Sequence, residues 1–150
     1  MNINWEIKAF EALSALELYR IMQLRNAVFV VEQNCVYQDA DDKDQKGWHL
    51  CGWDGAVLAA YCRLLPQHVS YTDASIGRVI THANYRGFGL GLQMMKLAIP
   101  YLLELFHTAT IQIGAQQYLE KFYQSLGFAT ISDPYLEDGI PHILMRYENP

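Results

Sequence analysis

Alternation opens the chain. Ile3, Trp5 and Ile7 alternate with Asn4, Glu6 and Lys8, a period of two that predicts a half-buried strand over residues 2–10. The period then changes. Leu18, Ile21, Met22, Val28 and Phe29 fall on one helical face, which predicts a helix over residues 14–29. Residues 48–53 and 57–65 are apolar runs flanking Asp54-Gly55, a hairpin turn signal. The β-branched run 75–81 reads as a strand. Leu92, Met95, Ile99, Leu102 and Phe106 form one stripe, giving a helix over 91–106. Pro100 inside it removes a backbone hydrogen bond and is expected to kink it. A strand at 109–113, a helix at 116–126 with Leu119, Phe122, Tyr123 and Leu126 on one face, and strands at 128–132 and 140–147 complete the pattern.

Helices interleaved with strands predict an α/β or α+β layer built on a central mixed, twisted sheet. No repeat or Pro/Gly-rich linker divides the chain, so residues 1–150 are expected to form one domain. Only residues 38–46 break the pattern. With Asp39, Asp41, Asp42 and Asp44 they are too polar for a core and read as a solvated loop.

Charge narrows the function classes. Eleven Lys and Arg against sixteen Asp and Glu give a net charge of −5. Nucleic-acid binders that track phosphates normally carry a basic face, so nucleic acid is not an expected partner. An acidic chain better suits a cationic small substrate. Three cysteines leave an odd thiol and do not suggest a disulfide framework. Lys96 and Glu104 interrupt the most apolar stretch, so no membrane span is expected. No secretory leader is visible, and the expected location is the cytoplasm.

The chemistry concentrates in residues 75–92. A strand runs into Arg86-Gly87-Phe88-Gly89-Leu90-Gly91 and a long helix follows. Glycines let a backbone approach a ligand closely. The first N–H groups of a helix have no partners within it, and the helix dipole adds positive potential. Such a turn is an anion cradle that accepts a pyrophosphate, although glycines at alternate positions also occur at plain strand-to-helix corners. The turn is not a Walker A loop, since Leu92 follows Gly91, and it lacks the G-x-G-x-x-G dinucleotide spacing.

The segment resembles the R/Q-x-x-G-x-G/A signature of the GNAT acetyltransferase superfamily. Downstream, Phe122-Tyr123-Gln124-Ser125-Leu126-Gly127-Phe128 is similar to that superfamily's F-Y-x-x-x-G-F segment. A narrower resemblance, to the ElaA-like branch, covers nearly the whole chain. It rests on residues 24–35 (LRNAVFVVEQNC), Tyr37, Asp39, Asp41, residues 76–80 (IGRVI) and residues 137–143 (EDGIPHI).

The resemblance implies a single GNAT domain with helices on both faces of its sheet. It implies transfer of an acetyl group from acetyl-coenzyme A to a primary amine, carried by a small molecule or a peptide, by direct attack in a ternary complex. Residues 86–91 (Arg86, Gly87, Phe88, Gly89, Leu90, Gly91) would hold the pyrophosphate. The backbone of Val79, Ile80 and Thr81 would pair with the pantetheine arm, much as a strand adds to a sheet edge, and a backbone N–H there would polarise the thioester carbonyl. Tyr123 would protonate the leaving thiolate, although its place on an apolar stripe also suits a core tyrosine. Gln116 stands where many relatives carry an asparagine that bonds the cofactor arm. Ile111 stands where some relatives place a glutamate base, so a base must come from elsewhere or water must serve. Glu32, Asp39, His49, Glu137 and His142 are the candidates, with Glu32 preferred because its region lines the acceptor pocket in the superfamily.

Three further expectations complete the reading. Cys35, His49, Cys51 and Cys62 include metal-ligand types but no C-x-x-C pair, so no metal is expected. Arg25 and Arg78 interrupt apolar runs and need acidic partners, because an unpaired buried charge is expensive. An edge strand near the C-terminus could support a homodimer. Two other classes compete with the enzyme. The missing glutamate would suit a coenzyme A-binding regulatory or interaction module without catalysis, and the cradle alone would serve a plain nucleotide-binding domain.

Overall fold

The computed structural model describes residues 1–150. β1 (Asn4–Ala9), β2 (Trp48–Asp54), β3 (Val57–Leu65) and β4 (Ser75–Thr81) form an antiparallel sheet in sequence order. β5 (Thr110–Gln116), β8 (Ile140–Glu148) and β6 (Phe128–Thr130) form a second, and the short β7 (Tyr135–Glu137) pairs with β8. The sheets meet at one parallel bridge, Ala74 with Ile111, where the Gln112 N–H donates to the Ala74 carbonyl at 2.9 Å. That bridge makes the whole sheet mixed.

Helices cover both faces. α2 (Leu90–Leu105) and α3 (Glu120–Ser125) pack on one, and α1 (Ala15–Arg25) on the other. Strand alternation sends Leu50, Ala60, Cys62 and Leu64 towards α2, and Cys51 and Tyr61 towards α1. A bulge at Gly52/Trp53 resets that alternation, so Leu58 joins the α1 side. On α2, Leu90, Met94, Met95, Ile99 and Leu102 are buried. Each contributes about 2 kcal/mol of transfer free energy. α2 continues through Pro100, which has no N–H to offer the Lys96 carbonyl and lies on the exposed side.

α1 begins with a reciprocal cap. The Ser14 hydroxyl accepts from the Glu17 N–H, and the Glu17 carboxylate accepts from the Ser14 N–H. Glu17 also receives Lys8 at 3.0 Å, tying α1 to β1. The helix expected over 14–29 changes hand-hold at Asn26. Residues Asn26–Glu32 form wider π-helical turns, with the Gln33 N–H reaching the Val28 carbonyl. The helix expected from residue 116 also starts later. β5 keeps Ile111, Ile113 and Ala115 buried in alternation as far as Gln116, one 3₁₀ turn follows, and α3 begins at Glu120. β7 carries only three residues and no alternation that sequence could reveal.

Residues 38–46 are the main correction. Asp39 and Asp44 are buried, not solvated, and Arg25 is fully buried beside them. Arg25 meets Asp39 and Asp44 at 2.6 Å each, and Arg63 meets Asp41 and Asp44 at 2.8 and 2.9 Å. Arg78 meets Asp39 at 2.8 Å. Three arginines and three aspartates thus neutralise one another, which is how a charged loop becomes part of the interior.

Candidate active site

Beyond the Ala74–Ile111 bridge, β4 and β5 part. A cavity of about 630 Å³ opens between them, lined on one wall by residues 76–81 and on the other by residues 113–116. The π-helical end of α1, α3 and the β7–β8 hairpin close its sides. A gap between two strands leaves their facing N–H and C=O groups without sheet partners, and an extended ligand arm can take them up. Val79, Ile80 and Thr81 lie on this wall, as the resemblance implies for the pantetheine strand.

β4 is also distorted there. Tyr61 pairs with Ile80 but Arg63 pairs with Gly77, so β4 holds one extra residue opposite Cys62. Arg78 sits in the bulge with φ 51°, a left-handed conformation that costs a non-glycine residue about 1–2 kcal/mol. Its side chain is anchored by Asp39 and Asp41 and lies over the Phe29 ring at 5.9 Å. Tyr37 donates to Asp39 from the cavity side. Its hydroxyl is pushed well above the ordinary phenol range, by burial first and then by Asp39. The buried charge network therefore holds the bulge in the cavity wall. Sequence reasoning named Arg25 and Arg78 as needing acidic partners but did not connect them with the four aspartates of residues 38–46.

The cradle forms a recess of about 240 Å³ at the end of this cavity, bounded by Thr81, Tyr85, residues 86–87 and 89–92, and Phe122. Gly87 and Gly89 have φ of 87° and 75°, which L side chains rarely adopt. α2 starts at Leu90 with no acidic residue in its first turn, so its N-terminal N–H groups and dipole are not answered by the protein's own charge. Tyr85 pins the approach by donating to Asp54 at 2.6 Å. Phe88 is exposed and lies between the two positive-φ glycines. A pyrophosphate-bearing cofactor fits this recess.

Arg86 and Glu32, assigned to different tasks from sequence, are brought together. The guanidinium grips both carboxylate oxygens, with Nη2 donating to Oε2 at 2.8 Å. Those hydrogen bonds hold the Glu32 carboxyl below its usual range. A carboxylate with both oxygens occupied is a weak proton acceptor, and Glu32 is placed to orient Arg86.

Tyr123 lies on α3, almost fully buried, with its ring edge-on to Phe122 and Phe128. It lines the cavity. Burial keeps its hydroxyl protonated far above neutral pH, as a proton donor requires. Gln116, at the end of β5, donates to Gln33 at 3.3 Å across the cavity. Glu137 and His142 face each other on the β7–β8 hairpin and line the cavity.

His49 is remote from the cavity. It accepts from Tyr61 through Nδ1 at 2.6 Å and donates to the Asp44 carbonyl at 3.0 Å, so both ring nitrogens are used, and burial lowers its pKa. Cys51 and Cys62 lie on opposite faces of the sheet and Cys35 donates to the Asp138 carbonyl. No group of three or more metal-ligating side chains comes together. No helix is long and apolar enough to cross a membrane.

Comparison with known proteins bears on the same residues. A family model described as an acetyltransferase (GNAT) domain matches residues 16–149. Protein ElaA of Escherichia coli is 42% identical over 148 residues, covering 97% of each chain. A UPF0039 protein of Synechocystis is 39% identical over 151 residues, covering 100% of this chain and 98% of that one. The crystal structure of an acyl-CoA N-acyltransferase from Pseudomonas aeruginosa superposes with a TM-score of 0.93 at 39% identity, over 97% of this chain and 99% of that one. The crystal structure of Escherichia coli ElaA gives 0.92 at 40% identity, over 98% and 100%.

Proposed function

The chain belongs to the GNAT acetyltransferase family, and from that premise we propose that it transfers an acetyl group from acetyl-coenzyme A to a primary amine by direct attack. The observation that carries this reading is the adjacency of cleft and cradle. The parted strands, the bulged wall of β4 and Tyr123 border the cavity, and the glycine cradle borders a neighbouring recess that shares Thr81, Arg86, Gly91 and Phe122 with it.

Acetyl-coenzyme A supplies an activated acyl carbon and a thiolate leaving group. The residues do the rest. The cradle N–H groups and Arg86 hold the pyrophosphate, and Glu32 fixes the direction of Arg86. Backbone groups of Val79, Ile80 and Thr81 align the arm beside the bulge, so that a fixed N–H faces the carbonyl oxygen as charge grows there. One such donor is worth about 3 kcal/mol of transition-state stabilisation. Gln116 steadies the arm from the opposite wall. Tyr123 gives its proton to the departing sulfur. The cavity walls keep the amine and the thioester in register, which removes the entropy of bringing them together.

The test is a turnover assay. Purified protein is mixed with acetyl-coenzyme A and a panel of primary amines (diamines, amino acids, aminoglycosides, peptides with a free N-terminus or lysine), and release of the coenzyme A thiol is followed. Acetylation of at least one class at rates above the amine-free control supports the reading. Binding of acetyl-coenzyme A without transfer to any amine overturns it in favour of a regulatory module.

A further inference from the structure

His142 and Glu137 form a pair that the cleft's other residues leave chemically unfinished. His142 lies on β8, opposite Gln116 of β5, and Tyr135 of β7 pairs with it in register. Its ring is nearly buried, with Tyr135 stacked on it at 6.0 Å and 30°. Nδ1 lies 2.7 Å from the Ile140 carbonyl. A carbonyl can only accept, so Nδ1 donates to it, and Nε2 is the ring atom that can take up or release a proton. Nε2 stands 3.3 Å from the Glu137 carboxylate, which is also an acceptor. A proton that arrives on Nε2 is therefore shared with Glu137 as an ion pair. Glu137 is the one charged side chain in ion-pair reach of the ring. Tyr135 is the titratable neighbour on β7, and β5 contributes only the neutral Gln116 in register.

The cavity offers few other proton acceptors. Glu32 is held by Arg86, Tyr123 is a donor, and position 111 is an isoleucine buried in the core. Asp138 follows Glu137 at the rim, so the acceptor side carries two carboxylates beside the histidine.

We propose that His142, backed by Glu137, is the acceptor-amine site: Nε2 receives the substrate ammonium and takes its proton. This rests on the acetyl-transfer reading above. The ammonium gives one proton to Nε2, leaving a neutral amine and an imidazolium that Glu137 stabilises. The amine lone pair forms the new N–C bond at the thioester carbon. The C–S bond breaks with its electron pair on sulfur, and Tyr123 protonates that sulfur. The nitrogen's surplus proton restores the Tyr123 hydroxyl, and the imidazolium passes its proton to solvent past the exposed Glu137. One amide, one thiol and one released proton balance one ammonium and one thioester. The substrate class is a primary amine with no carboxylate next to the reacting nitrogen, since Glu137 and Asp138 would repel one.

The experiment compares wild type, His142→Gln and Glu137→Gln with the best amine of the panel. kcat/KM is measured from pH 5.5 to 9, and acetyl-coenzyme A affinity by calorimetry. His142→Gln is expected to lose about a hundredfold or more in kcat, with acetyl-coenzyme A affinity within twofold of wild type. Glu137→Gln, at an exposed position, is expected to lower kcat at least about fivefold with unchanged acetyl-coenzyme A affinity, because the imidazolium loses its counter-charge. Diamines are expected to exceed α-amino acids as substrates. Retention of more than a third of wild-type kcat by His142→Gln, or wild-type kcat in Glu137→Gln, overturns the assignment while leaving acetyl transfer intact. If wild type itself acetylates nothing, the underlying reading fails and this assignment falls with it.

Discussion

Asp39→Asn is the sharpest test of how the loop and the cavity wall are joined. The side chain changes by one atom type and keeps its size, so packing is preserved and only charge is removed. Asp39 accepts from Arg25 at 2.6 Å and from Tyr37 at 3.0 Å, and meets Arg78 at 2.8 Å. Arg25 has no exposed surface, so no water can replace the lost partner. The substitution leaves three arginines against two aspartates in the interior. Removing one partner of a buried pair costs about 3–5 kcal/mol. For a domain of this length, each kcal/mol moves the melting temperature by about 2–4 °C, so a fall of about 6–20 °C is expected in a calorimetric or circular-dichroism melt. The variant should also lose activity at temperatures where it is still folded, because Arg78 loses an anchor while its backbone stays in a left-handed bulge. A melting temperature within about 3 °C of wild type would refute the claim that this network is closed and charge-balanced.

Other expected outcomes follow from single contacts. Tyr123→Phe should lower kcat about a hundredfold or more with little change in acetyl-coenzyme A affinity; stopped turnover assays and calorimetry separate the two. Glu32→Gln should raise KM for acetyl-coenzyme A several-fold and leave the acidic limb of the pH profile in place; a collapse of kcat with unchanged KM would restore Glu32 as the base. Its melting temperature should stay within about 2 °C of wild type, since the Arg86 pair is exposed. Acid should weaken the fold through Asp41. Burial pushes its carboxyl up, but the hydrogen bonds and charge of Arg63, helped by Arg78, overcome that and hold it at about 2, below the usual 3.8. A folded pKa below the unfolded one means stability that is present above the unfolded value and lost as pH falls through the folded one, about 2 kcal/mol in all. Urea midpoints at pH 5, 3.5 and 2.5 should fall in that order, and Asp41→Asn should flatten the trend.

Periodicity carried the regular elements because each buries one face. In the folded chain Ile3, Trp5 and Ile7 of the first alternation pack on the core, and Met95, Ile99 and Leu102 of the α2 stripe are buried, whereas Leu92 is exposed and Phe106 follows the helix. Segments whose hydrogen bonding is set by tertiary neighbours were less legible. The wider turns of residues 26–32 differ from an α-helix only in which carbonyl each N–H reaches, and side-chain spacing does not record that. Residue 116 lies where strand and helix patterns overlap, since Ile111, Ile113 and Ala115 fit a period of two as well as Leu119 and Phe122 fit the helix after it. The cradle was readable because positive φ and an uncapped helix start need glycines in a fixed order. The burial of Asp39 and Asp44 was not readable from local polarity. It depends on arginines 14 to 39 positions away in sequence, and no local pattern records those contacts. The pairing of Arg86 with Glu32 spans 54 positions and has no sequence signature.

The space between β4, β5 and the cradle is the proposed acyl-coenzyme A site. A thermal shift with acetyl-coenzyme A, against ATP and NAD at equal concentration, tests it most directly. At a hundredfold excess over Kd, binding to the folded state adds about 2.7 kcal/mol, a rise of roughly 5–10 °C for this domain. That rise is expected with acetyl-coenzyme A, and less than about 1 °C with ATP or NAD. Equal shifts with all three, or none with millimolar acetyl-coenzyme A, would contradict it.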